Sequence, residues 1–270
     1  MRILSGEAIL LDAIDLHERD RVVTFLTAEW GKKRGVARGA RAKYSRFAGQ
    51  LQPLSKVAVR WFEKEGRELV RIESVELIEP CRSLLEDLEG ILLASYLAEH
   101  LVCFAQENED SESLYRLLDG TLRWLAEGVD RDLAARYFEV WVLRLAGIFP
   151  PPRECPVCGR SLVDVGGAVI DRAGPEIRCR DCATDREGKL SAAALAFLLR
   201  TAREAPPAIA GAGAPVAVLR EVERACAQVR TCFLHQELRS YQVMQATQRR
   251  ERELAREFDL AREVAEPTVE

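Results

Sequence analysis

Two short cysteine pairs limit how one part of this chain can fold. Cys155-Pro156-Val157-Cys158-Gly159 and Cys179-Arg180-Asp181-Cys182 are C-x-x-C pairs with twenty residues between them, the spacing of a four-cysteine zinc site. A two-residue spacer lets one tight turn aim both sulfurs at a single ion, and Gly159 gives the backbone freedom that closes such a turn. The surrounding stretch, Pro151 to Lys189, is rich in glycine and charge and has too few large apolar side chains for a core of its own. Metal ligation therefore stands in for hydrophobic burial as its organiser. Disulfides or a redox dithiol are the competing readings. A cytosolic chain disfavours the first, and the βαβ context of the second is missing. Four thiolates close the tetrahedron and leave no position for water. Cys155, Cys158, Cys179 and Cys182 are thus read as ligands of one structural Zn2+ and not of a catalytic metal.

The cytosolic reading rests on what the rest of the chain lacks. Its 270 residues are 48% apolar and 30% charged, which excludes disorder throughout. Apolar runs such as Ile9 to Leu11 stop far short of the ~18 residues a helix needs to cross a bilayer. Met1 to Asp20 has no basic region followed by an apolar stretch, so a cleaved secretory signal is not expected. Cys81, Cys103, Cys226 and Cys232 have no partner spacing and read as small buried hydrophobes.

Charge is distributed unevenly. The net charge is −4, yet Gly31 to Arg60 holds nine basic residues and no acidic one: Lys32, Lys33, Arg34, Arg38, Arg41, Lys43, Arg46, Lys56 and Arg60. A single-sign segment in an acidic protein is a local field that attracts phosphate. Trp30, Tyr44, Phe47 and Trp61 are interleaved with it, and cations beside ring faces are the ingredients of sequence-tolerant single-strand binding. Lys32, Lys33, Arg34, Arg38, Arg41, Lys43, Arg46 and Arg60 are the candidate DNA-binding residues, and the four rings are candidates for base stacking. The competing reading puts Phe47 and Trp61 in a core and the cations on a solvated face. If about five phosphates are neutralised, log affinity falls against log salt with a slope of about −3.5 for single strands.

Pattern divides the chain. Ile3 to Leu11, Arg21 to Thr27, Arg34 to Arg38, Leu54 to Phe62 and Glu68 to Ile78 read as five short strands. Val57, Val59 and Trp61 alternate with Lys56, Ala58 and Arg60, inward against outward. Five strands in 1–80 suit a small closed barrel of the OB type. After Pro80 the period turns helical in three segments, the third running from Arg131 into Pro150-Pro151-Pro152, which no helix continues through. Ser191 is a predicted N-cap for Ala192 to Arg203. Ala205 to Pro215 reads as a breaker, and Val216 to about Gln248 as one long helix. The expected fold is therefore α+β and multidomain: a barrel (1–80), a helical domain in two parts (81–150 and 190–248) and the zinc insertion (151–189). The charged tail (249–270) is expected to fray.

Other chemistry finds little support. His17, His100 and His235 suggest no metal or acid–base pairing, and Glu107, Glu109 and Asp110 read as solvated surface. No G-x-x-x-x-G-K-[ST] or G-x-G-x-x-G motif is present, and Gly31, Gly35 and Gly39 make better sense as bends in a basic strand and loop.

In this order the chain resembles the RecO family of bacterial recombination mediators and DNA-repair proteins. The resemblance is carried by Gly6 to Leu11, Glu18 to Thr27, Gly31-Lys32, Ala37 to Arg41, Ser45-Arg46-Phe47 with Gly49, Leu51-Gln52-Pro53 and Glu76 to Pro80. It continues at Ser95 to Glu99, Cys155 to Arg160, Gly166-Gly167 and Leu238-Arg239-Ser240. It implies an OB-fold, a helical domain and a zinc insertion in a protein that is not an enzyme. Such a protein binds single- and double-stranded DNA and anneals complementary strands. It contacts RecR and the C-terminal tail of single-stranded DNA-binding protein, and helps load RecA. Lys32, Arg38, Arg41 and Arg46 fall on the family's basic positions. Ala183 departs from it, standing after the second cysteine pair where many zinc ribbons have glycine. A non-catalytic protein-binding adaptor and a metal-dependent nuclease are the alternatives.

Overall fold

Alternating burial builds the first unit. The structure, a computed structural model, describes residues 2–170, 174–184 and 188–265, with backbone only at 252 and 257–265. Strands β1 (Arg2–Leu16), β2 (Asp20–Thr27), β3 (Gly31–Ala37), β4 (Lys56–Glu63) and β5 (Val70–Glu79) close into a barrel in the order β1-β2-β3-β5-β4. Every pairing is antiparallel except β3 with β5. Followed around the barrel, Ile14 stands opposite Val22, then Val36, Arg71 and Phe62, and the path returns to β1 at Ile3. That stagger along β1 tilts the strands enough for a five-stranded sheet to close.

As predicted, Val57, Val59 and Trp61 point inward. Phe25 meets Trp61 edge-on at 5.5 Å between ring centroids. The first strand runs past its predicted end at Leu11, because a bulge between Leu10 and Asp12 breaks the alternation without ending the pairing.

Seven helices follow among the described residues: α1 (Leu88–Phe104), α2 (Glu112–Ala126), α3 (Arg131–Leu145), α4 (Ala192–Arg200), α5 (Pro206–Ala212), α6 (Val216–Leu234) and α7 (Arg239–Ala265). Between α3 and α4 lies a small sheet of β6 (Gly167–Ile170), β7 (Ile177–Arg178) and β8 (Gly188–Ser191), in the order β7-β6-β8. Ser191 caps α4 as predicted, its hydroxyl accepting from the Ala194 N–H at 3.2 Å. The predicted breaker contains α5, whose first turn carries Pro206 and Pro207 where a missing N–H costs nothing.

The long helix expected from Val216 is two. His235 takes a left-handed conformation that caps α6, and the Glu99 carboxylate of α1 then accepts the Arg239 and Ser240 N–H groups at 3.1 and 2.7 Å, starting α7 in a new direction. Part of the tail expected to fray, 249–265, is helical; 266–270 lie outside the described residues. No helix among the described residues is long and apolar enough to cross a membrane.

Three apolar clusters hold these parts together. One fills the barrel, with Val23, Phe25, Trp61 and Ile72. The second joins the barrel's outer face to helices, packing Ile9, Leu11 and Leu26 with Leu93, Leu97 and Leu101 of α1 and Phe138 of α3. The third packs Leu162, Ile170, Ile177 and Leu190 from around the cysteine pairs onto α3, α4 and α6.

A buried polar network also crosses the helices. The Tyr96 hydroxyl and the Arg136 guanidinium donate to Glu139, Arg136 at 2.7 Å, and Arg230 pairs with Glu237 at 2.7 Å. His100 Nδ1 lies 2.8 Å from the Tyr96 carbonyl and Nε2 3.2 Å from the Arg230 guanidinium. The proton therefore sits on Nδ1 and the ring is neutral. Burial, then the charges of Arg230 and Arg136, hold His100 well below its ordinary value. Below about pH 6.5, where a free imidazole charges, the unfolded chain binds a proton that folded His100 refuses. Stability is thus expected to be full above that pH and to fall with acidification by up to ~1.4 kcal/mol per pH unit. Denaturant midpoints measured across this range should show the loss, and His100→Gln should flatten it.

Candidate functional site

The cysteine pairs converge. The four sulfurs of Cys155, Cys158, Cys179 and Cys182 lie within 4.8 Å of one another, and Cys158 and Cys179 are 3.7 Å apart. A tetrahedral zinc–thiolate site with ~2.3 Å bonds has sulfur–sulfur edges of about 3.8 Å, so the donor set fits zinc in chemistry and spacing. The first knuckle closes with Gly159, at φ +70, donating its N–H to the Cys155 carbonyl at 2.9 Å. In the second, Ala183 donates to the Cys179 carbonyl at 3.1 Å and is not among the residues of positive φ, so this turn needs no glycine. Hydrogen bonds from the Arg160 side chain and backbone hold the Cys158 thiol below its ordinary value. At Cys155 burial opposes ionisation, yet backbone N–H groups, led by that of Cys179, bring the thiol down to about 6. Both effects favour thiolates at these two positions, whereas hydrogen bonds with Cys179 and Cys158 push the Cys182 thiol up to about 12. Cys155 and Cys179 are buried within the third apolar cluster, whereas Cys158 is exposed.

The remaining cysteines follow the expected burial only in part. Cys226 is buried, Cys81 and Cys232 are half-buried, and Cys103 is exposed.

The cationic block divides into struts and free charges. Four of its members, all on strands, are tied down. The Lys32 ammonium donates to the Val102 carbonyl at 2.6 Å, on the last turn of α1, and burial lowers its pKa. Lys33 points inward, 5% exposed, with its ammonium 2.7 Å from both Glu63 and Asn108. Lys56 pairs with Asp119 of α2, and Arg60 with Glu73 at 3.0 Å. Lys32 and Lys33 therefore leave the expected phosphate-facing set, because the chain after α1 packs directly against the start of β3. A side chain at Gly31 would place its Cβ 1.9 Å from the Glu109 carbonyl oxygen, at a φ of +65. Replacing Lys33 with Met should cost about 1–3 kcal/mol by leaving a buried acceptor unpaired. A thermal melt should show that loss while the salt slope of oligonucleotide binding stays unchanged.

Arg34, Arg38, Lys43 and Arg46 are exposed, and none of them forms an ion pair among the described residues. Three of these lie on the loop from Arg38 to Ser55, which is strapped to the β1–β2 turn. Gly39 N–H donates to Asp20 at 2.8 Å, Arg41 N–H to the Arg19 carbonyl at 2.9 Å, and the Arg41 guanidinium to the His17 carbonyl at 2.8 Å while pairing with Asp15 at 3.2 Å. Arg41 is thus a strap with a charge. The arrangement adds exposed Arg19 to the same end of the barrel, and Arg71 stands beside Val36 on the outer face. Neither was among the predicted cations; Arg71 is exposed between buried Val70 and Ile72.

The four rings separate as sharply. Tyr44 is 89% exposed, with the Lys43 ammonium 5.7 Å from its ring. Phe47 is buried beneath the Arg46 guanidinium, which sits 4.9 Å from the ring centre. Trp61 is fully buried in the barrel, and Trp30 packs half-buried against the same core. Phe47 and Trp61 are therefore core residues, as the competing reading had them, and offer no face to a base.

Fold and site together define an α+β protein: a closed five-stranded barrel bearing a cationic loop, joined to a helical body with a four-cysteine module whose sulfurs are spaced to hold a metal ion. Family comparison is more specific. The model for the Recombination protein O N terminal matches residues 1–81 and that for the Recombination protein O C terminal matches 85–242, so the seam between them falls between β5 and α1. A DNA repair protein RecO of Anaeromyxobacter sp. (strain K) is 37% identical over 194 residues, covering 71% of this chain and 76% of its own. That of Anaeromyxobacter sp. (strain Fw109-5) is 34% identical over 221 residues, covering 81% and 86%. That of Pelotomaculum thermopropionicum is 36% identical over 176 residues, covering 63% and 68%. The chain belongs to the RecO family.

Proposed function

We propose that this protein acts in DNA repair and recombination as a mediator that binds single- and double-stranded DNA and pairs complementary strands. The observation that carries the reading is the exposed set Arg38, Lys43 and Arg46 around Tyr44, without ion pairs among the described residues, on a loop that Arg41 ties to the β1–β2 turn. Two strands repel each other through their phosphates. A cationic loop that neutralises part of each lowers the cost of bringing them together, and no bond in the DNA need break. The barrel is read as an OB-fold, whose second and third strands and adjoining loops are the usual oligonucleotide face. Arg34 on β3 and Arg19 at the β1–β2 turn lie along that face.

Zn2+, held by Cys155, Cys158, Cys179 and Cys182, supplies cross-linking of two turns and no catalysis. Family membership and the relatives' name, DNA repair protein RecO, support the pathway; contacts with RecR and the single-stranded DNA-binding protein tail, and assistance to RecA loading, belong to the same reading. An annealing assay with complementary labelled oligonucleotides tests it. Pairing should accelerate without ATP and slow as salt rises. Unaccelerated pairing, or cleavage of the DNA in Mg2+, would overturn it.

A further inference from the structure

A zinc ion with four thiolates carries two net negative charges, and here two of the sulfurs are buried against apolar side chains. Such a centre requires compensating donors. Among the described residues, the Arg160 side chain is placed to provide them. Arg160 Nε lies 3.4 Å from the Cys158 sulfur, and Nη2 lies 3.4 Å from the Cys179 sulfur and 2.7 Å from Asp181. A single planar guanidinium therefore spans both knuckles, with one N–H on the first pair, one on the second, and a carboxylate of the second pair fixing its orientation. Its backbone carbonyl also accepts the Cys155 N–H at 2.9 Å, so the residue carrying the guanidinium is part of the first turn. Arg180, from the second pair, is placed differently: its guanidinium lies against the backbone at Gly167.

We propose that Arg160 is a positioning residue of the metal centre: it clamps the two cysteine knuckles together, offsets the charge of the thiolates and covers Cys158, the exposed sulfur, against competing ligands. The proposal rests on the zinc reading and goes beyond it. Lysine cannot replace the clamp, because a point charge reaches one sulfur where the fork reaches two. Asp181 acts through Arg160 by holding the fork in register.

The test uses the full chain, first assayed for bound zinc. Wild type, Arg160→Ala, Arg160→Lys and Asp181→Asn are then compared in two ways. In competition with a chromophoric chelator, Arg160→Ala should bind zinc about tenfold to a hundredfold more weakly, the range for lost outer-sphere partners. Arg160→Lys and Asp181→Asn should fall between it and wild type. After Co2+ replacement, the sulfur-to-metal charge-transfer band should move to longer wavelength in Arg160→Ala, because a thiolate freed of N–H donors is the stronger electron donor. Unchanged chelator competition and an unchanged Co2+ band in all three variants would make Arg160 a surface partner of Asp181 and overturn the proposal. A wild-type chain without zinc would overturn the metal reading itself, a distinguishable result. Should Arg160→Ala not fold, Arg160→Lys and Asp181→Asn still decide the matter.

Discussion

Replacing Cys179 with Ser is expected to abolish zinc binding and to lower the melting temperature by more than about 10 °C, at ~2–4 °C per kcal/mol for a chain of this size. Structural zinc contributes ~10–16 kcal/mol in isolated fingers, as much as the whole stability of a typical domain. The loss does not stay local, because Cys155 and Cys179 belong to the apolar cluster that also contains Val140, Leu143, Leu195 and Val222 of α3, α4 and α6. Without the metal, Ile177 and Leu190 have no fixed turns to hold them on those helices. Cys158→Ser, at the exposed ligand, should lose less in packing while still losing the ion. The barrel has its own interior cluster, so DNA binding at low temperature should outlast the metal. Calorimetry with and without chelator, with metal content on the same samples, checks each step.

The second large effect is expected on DNA. Converting Arg38, Lys43 and Arg46 together to Gln removes three exposed charges and the Arg46 guanidinium over Phe47, and leaves the Arg41 strap and the apolar interior of the barrel in place. Each phosphate contact adds about 0.7 to the salt exponent for a single strand, so three contacts amount to about a hundredfold in affinity at 0.1 M salt relative to 1 M. The loss should be the same for all sequences, since these contacts read phosphate and not base edges. Melting temperature should hardly change. Fluorescence anisotropy with several oligonucleotides of unrelated sequence, at one salt concentration, measures it.

How much of this was legible depends on how far apart in sequence the determining residues lie. Cysteine spacing located the cluster of four sulfurs because each pair closes through its own backbone, as Gly159 does on Cys155. Ser191 was readable as a cap for the same reason. Trp61 was placed inside by its own alternation with Arg60 and outside only by its neighbourhood of cations; the alternation was the better guide. Lys33 was not readable, since Glu63 and Asn108 lie 30 and 75 residues away. Its strand was expected to begin at Arg34 and begins at Gly31. A start at Gly31 puts Lys33 in phase with inward Gly35 and Ala37. Arg160 carries no signal in one sequence, because its role requires two knuckles to meet first. The split at His235 depends on Glu99 from another helix.

The most direct measurement is the affinity for a single-stranded oligonucleotide across a salt series, taken for wild type, the Arg38/Lys43/Arg46 glutamine variant and Lys33→Met. With Arg34, Arg38, Arg41, Lys43 and Arg46 all engaged, the wild-type slope should be about −3.5 and the triple variant's about −1.4, while Lys33→Met follows wild type. Equal slopes for wild type and the triple variant, or a shallower slope for Lys33→Met alone, would place the DNA elsewhere on the molecule.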